Sequence, residues 1–179
     1  MAAGCQSGPL AGCRQAIKSI FVVKDSSTDS RDKLIFKWVR GDQADKSDLA
    51  DPTSTANYNL CVYTGATEDL VGDAQVGPSP ILWTENSKGY IYRDLDGTQS
   101  GIQKIVLKAG AQNKTKAQVK GRGVNLPDLA EALNSSLDLD PPVRVQLVNS
   151  DNGQCLESTF DAGGIRTNEP GRFKGKASN

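Results

Sequence analysis

From Lys33 to Val39 the chain reads KLIFKWV, so that Leu34, Phe36 and Trp38 alternate with Lys33, Ile35 and Lys37. A period of two places the apolar residues on one face of an extended strand. VRVQLV repeats the device, with Val143, Val145 and Leu147 set against Arg144 and Gln146. One-sided strands belong to antiparallel sheets with one wet face, and two such sheets bury their apolar faces against each other. Glycine, proline and Asx residues punctuate the chain roughly every ten to fifteen residues and leave short β-rich runs between them. Strands are expected at Ser19–Lys24, Lys33–Val39, Tyr58–Thr64, Leu70–Val76, Ile81–Thr84, Gly89–Arg93, Ile102–Lys108, Lys116–Lys120, Val143–Val148 and Cys155–Phe160. LPDLAEALNSS departs from the pattern: Leu126, Leu129, Ala130 and Leu133 recur at helical spacing behind Pro127 and Asp128. The expected fold is therefore all-β, an antiparallel sandwich of about nine or ten strands with one short helix. Residues 1–18 read as an N-terminal extension to a sandwich domain at 19–176, and the tail from Ala162 to Asn179, which carries no strand assignment, also reads as an extension.

A chain of 179 residues is long enough for one self-supporting core. The 21 basic and 21 acidic residues cancel, so no net positive field draws the chain to a phosphate backbone, and nucleic acid is not expected as a partner. No apolar run approaches the roughly 20 residues of a membrane-crossing helix. The lysines, among them Lys104, Lys108, Lys116, Lys120, Lys174 and Lys176, read as edge protection and solvation.

Histidine is absent. That removes the Ser-His-Asp and Cys-His nucleophile systems and the histidine-bearing zinc sites. Any catalysis would have to rest on Asp, Glu, Lys, Tyr or Cys.

Four cysteines, Cys5, Cys13, Cys61 and Cys155, show no C-x-x-C spacing, which argues against a zinc ribbon and a thioredoxin-type pair. They read as two disulfides in an oxidising compartment, with four buried thiols as the alternative. Three pairings are open; the favoured one joins Cys5 to Cys13 as a small terminal loop and Cys61 to Cys155 as a staple between distant strands. MAAGCQSGPLAGCR contains no signal-peptide apolar stretch, so either a start methionine has replaced a presequence or export takes another route.

Several groups of residues have the composition of a site. In KDSSTDSRDKLIFKW, Asp25, Asp29 and Asp32 with Ser26, Ser27 and Thr28 supply oxygen ligands of the kind calcium takes, although the glycine and closing glutamate of an EF-hand are missing. A polar turn held by local side-chain bonds is the competing reading. The same two readings apply to Asp94 and Asp96 before Gly97, and to Asp42, Asp45, Asp48 and Asp51. The G-x-G of KGRGVNL completes neither a dinucleotide fingerprint nor a P-loop. Trp83, Tyr90 and Tyr92 could form a stacking surface for a sugar ring, against the more ordinary reading of core or cross-strand aromatics. Glu68, Glu85, Glu131, Glu157 and Glu169 sit in no recognisable signature, and a hydrolase would need two carboxylates in one cleft.

The segments KDSSTDSRDKLIFKWVRG, DPTSTANYNLCVY, GYIYRD, GIQKIVLKAG, KGRGVNL and VRVQLVNSDNGQCLESTF resemble a β-rich domain that recurs in uncharacterised bacterial secreted or cell-surface proteins, over most of the chain from Cys13 to Phe173. The resemblance implies a secreted domain and brings no established activity. The family pattern carries a further cysteine pair just before the position of Trp83, where this chain reads GPSPILW. Joint loss of that pair implies that its members bond each other, which leaves Cys61 and Cys155 to pair across the core.

Together these readings favour a non-enzymatic extracellular or cell-surface module without a required cofactor, which self-associates or binds another surface protein. In its sharpest form the SIFVV strand, Ser19–Val23, adds to a sheet edge of a neighbouring copy to build a fibre. The alternatives are a calcium-dependent or carbohydrate-binding adhesion module and a hydrolase with an Asp/Glu pair.

Overall fold

The computed structural model describes residues 4–129 and 139–178. Twelve strands are formed in chain order: β1 (Ala16–Lys24), β2 (Lys33–Gly41), β3 (Tyr58–Thr64), β4 (Asp69–Val76), β5 (Trp83–Asn86), β6 (Gly89–Arg93), β7 (Ile102–Lys108), β8 (Thr115–Arg122), β9 (Val143–Asn149), β10 (Cys155–Phe160), β11 (Ile165–Glu169) and β12 (Arg172–Ser178). They make two antiparallel sheets, an eight-stranded one ordered β11-β12-β1-β2-β8-β7-β6-β5 and a four-stranded one ordered β10-β9-β3-β4. The fold is an all-β sandwich. No helix among the described residues is long and apolar enough to cross a membrane.

The alternation in KLIFKWV performs as it reads. Leu34, Phe36 and Trp38 are buried and Lys33 and Lys37 are exposed. Between the sheets Phe21 packs with Phe36, Phe160 and Phe173, at ring-centroid distances of 6.5, 6.2 and 5.9 Å. A second aromatic group joins Tyr58, Trp83 and Tyr92. Trp38 ties the layers together: its indole Nε1–H donates to the Glu157 carbonyl oxygen at 2.9 Å from within the core.

Three expectations need correction. The C-terminal tail is not an extension, since β11 and β12 complete one side of the large sheet and Phe173 is fully buried. Its short strands, separated by Gly171 at φ 78°, alternate basic and small residues and carry little apolar signal. SIFVV is not available for exchange: β1 is an interior strand, paired to β12 on one side and β2 on the other. The disulfides are Cys5–Cys61 and Cys13–Cys155, so Cys5 and Cys13 do not close a small terminal loop. The helix expected over LPDLAEALNSS lies largely outside the described residues; Leu129, within them, is buried.

Candidate interaction surface

The aspartates of the β1–β2 connection do not converge as a ligand set. Asp29 opens a short 3-10 turn ending at Arg31, and Asp32 turns its Oδ1 back to accept the Ser26 amide at 2.7 Å. Burial first, then Asp32, Asp128 and Asp29, push the Asp25 carboxyl up, and burial raises Asp32 against the Ser26 bond. Among the described residues no group of three or more His, Cys, Asp or Glu is arranged to hold a metal ion. The other acidic runs are also occupied in building loops. Asp48 closes a capping box with Asp45 and pairs with Arg14 at 2.9 Å. Asp51 caps its turn through Thr53 and Ser54, bonds that hold its carboxyl below the usual value. Asp94 accepts from Tyr92, Asp96 and Thr98 to shape the β6–β7 loop.

Trp83, Tyr90 and Tyr92 form no stacking surface. Trp83 and Tyr92 point into the sandwich with centroids 5.2 Å apart, and the three residues are between 0% and 6% exposed. The Trp83 indole donates to the Gly77 carbonyl at 3.1 Å. Core is the more ordinary reading of period-two aromatics on β6, and pairing with β7 on one side and β5 on the other places them there. Glu131 lies outside the described residues, and the four described glutamates are held in ion pairs or on a strand edge. Arg144 bridges Glu68 and Glu157 at 2.6 and 3.2 Å, Lys46 pairs with Glu85, and Glu169 lies on β11 opposite Arg172.

The two outer faces of the sandwich differ sharply. Over the small sheet lies the N-terminal segment, stapled by Cys5–Cys61 to β3 and by Cys13–Cys155 to β10. Leu10 exchanges two bonds with the Gln146 amide, at 2.9 and 2.8 Å, and Tyr63 donates to the Gln6 carbonyl. Covered in this way, Gln146, Asn59 and Glu157 are buried although they point away from the core. Nothing comparable among the described residues covers the outer face of the large sheet.

That open face is basic. Pairing aligns Arg172, Lys24, Lys33 and Arg122 in one row across β12, β1, β2 and β8. The next row runs from Lys174 through Val22 and Ile35 to Lys120, Lys104 and Arg93. Lys176 and Lys37 flank Ile20 in the third, and Lys18, Lys116 and Lys108 stand in the fourth. The aliphatic residues between them are half-buried, sheltered by the lysine stems. Strands β1, β2, β6, β7, β8 and β12 contain no Asp or Glu; among the described residues the carboxylates beside these rows are Glu169, on edge strand β11 opposite Arg172, and Asp25 and Asp32 of the β1–β2 connection, where Lys24 acts on Asp32. Among the described residues the ion pairs fall on Arg14, Lys46 and Arg144, none of which lies on this face.

The expected role of these lysines as edge protection is therefore corrected for the interior strands β1, β2, β8 and β7, which have no free edge to protect. The signal was present as a cation at alternate positions of strands without any carboxylate. A net charge of zero conceals it, because averaging over the chain erases segregation.

No family model matches the chain, and comparison with curated proteins and with solved structures likewise finds no match.

Proposed function

We propose that this protein is a non-catalytic extracellular or cell-surface interaction module, related to the secreted bacterial β-rich domains it resembles, and that the outer face of its eight-stranded sheet is the recognition surface. The observation that carries the reading is the segregation of charge: rows of cations across interior strands that contain no carboxylate, outside the ion pairs of the described residues, on the sheet face that the described residues leave open. Support for the compartment comes from the two disulfides, which persist where the medium is oxidising.

The reading is tested on a cation-exchange column near neutral pH. A chain without net charge is retained only through a patch. Replacing Lys24 and Lys120 by Gln should shorten retention far more than replacing Lys88 and Lys114, which are exposed but lie outside the strands. Equal shifts for the two double variants would remove the basis of the proposal.

A further inference from the structure

We infer, on the strength of the surface reading above, that the partner is a linear acidic polysaccharide, carrying carboxylate or sulfate groups, laid across the strands of the large sheet.

Geometry first supports a polymer. Arg172, Lys24, Lys33 and Arg122 occupy four consecutive strands, and neighbouring strands lie about 4.8 Å apart, so this row is a straight track of roughly 14 Å. From Arg122 it steps to Lys120, two residues back on β8, and continues to Lys104 and Arg93 on β7 and β6. A chain with an anion every one or two strand spacings, roughly 5–10 Å, meets a cation at each.

The track is also held against its own repulsion. Lys24 lies directly opposite both Arg172 and Lys33, Lys33 opposite Arg122, Lys104 opposite both Lys120 and Arg93, and Lys108 opposite Lys116. Like charges directly opposed across strands destabilise a sheet. Neither packing nor solubility asks for that alignment, whereas a bound polyanion converts every repulsive pair into a bridged one.

The chemistry of the face separates the polysaccharide from other polyanions. All ten aromatic residues, four Phe, four Tyr and two Trp, are buried, so the face offers no platform for stacking unpaired bases. Its cations are mostly lysines, compact point charges, rather than the arginine forks that grip phosphate in two places. Docking to an anionic bilayer would be strengthened by exposed apolar side chains among the cations. The large exposed ones, Ile81, Leu95 and Val124, stand instead in the loops before β5, after β6 and after β8.

The test is calorimetric titration of the full chain with alginate oligomers at several salt concentrations, beside duplex DNA and phosphatidylglycerol-containing vesicles. The expected result is alginate binding that weakens steeply with salt, and that falls by about tenfold or more in Lys33→Gln/Lys120→Gln while Lys88→Gln/Lys114→Gln stays within about twofold. Because these substitutions relieve repulsion, the face variant is expected to fold, and its thermal melt checks this. Binding to DNA or vesicles without binding to alginate would overturn the polysaccharide inference and leave the surface standing. Silence with all three polyanions would overturn both.

Discussion

Lys104 on β7 stands between Lys120 on β8 and Arg93 on β6, directly opposite each, with no carboxylate on any of the three strands. A β-sheet under selection for stability alone would place an acid or a hydroxyl at one of these positions. Replacing Lys104 by Gln should therefore stabilise the fold, by roughly 0.2–1 kcal/mol for relief of such a pair, or about 0.4–4 °C in Tm for a chain of this size. Thermal denaturation at low salt measures it. The gain should shrink in high salt, where exposed like charges no longer feel one another.

The disulfide connectivity carries a direct expectation. Peptide mapping without reduction should recover Cys5 with Cys61 and Cys13 with Cys155. Because Cys13–Cys155 closes the longer loop, 142 residues against 56, Cys13→Ser/Cys155→Ser should be the costlier pair, at roughly 4–5 kcal/mol by chain entropy. Urea unfolding of the two double variants would reveal the order.

Gly41 at the end of β2 lies against the buried Trp38 ring, where a Cβ would come within 1.9 Å of ring carbons. Gly41→Ala must push that ring from the core and strain its bond to Glu157, so a loss of about 1–3 kcal/mol is expected from overpacking alone. Trp38→Phe keeps an aromatic ring but a smaller one, which leaves a cavity and the Glu157 carbonyl without its indole donor, and a loss of at least about 1–3 kcal/mol is expected. Denaturant midpoints compared with wild type give both values.

The β1–β2 connection sets a pH expectation. Burial first, then Asp29 and Asp128, raise the Asp32 carboxyl, while the Ser26 amide bond and Lys24 oppose the rise. The folded protein thus holds this proton more tightly than the unfolded chain, and stability declines as pH climbs from the ordinary carboxylate value through the raised one. Asp32→Asn retains an Oδ1 to accept from Ser26 and removes the charge. It should raise Tm near neutral pH and match wild type at about pH 3, below the ordinary aspartate value. An equal gain at both pH values would show that the charge is not the cause.

Strand identity was legible because it is written locally. Tyr58–Thr64, Gly89–Arg93, Ile102–Lys108 and Cys155–Phe160 have the ends that their flanking turn residues mark. What could not be read depends on pairing. The core reading of Tyr90 and Tyr92, the more ordinary one from sequence, is decided over stacking by β5 and β7 flanking β6, and the cysteines paired otherwise because the N-terminal segment crosses the small sheet instead of closing on itself. The basic face is the clearest case. Each lysine looks like ordinary solvation within its own strand, and only the register sets Lys24 beside Lys33 and Lys33 beside Arg122.

Lysine-reactivity footprinting addresses the face most directly, with acetylation followed by mass spectrometry on the free protein and on protein saturated with alginate. Protection is predicted at Lys24, Lys33, Lys104 and Lys120, with Lys46, Lys88 and Lys114 reacting as in the free chain. Protection spread evenly over all lysines, or centred on Lys46, Lys88 and Lys114, would contradict the assignment of the eight-stranded sheet as the recognition surface.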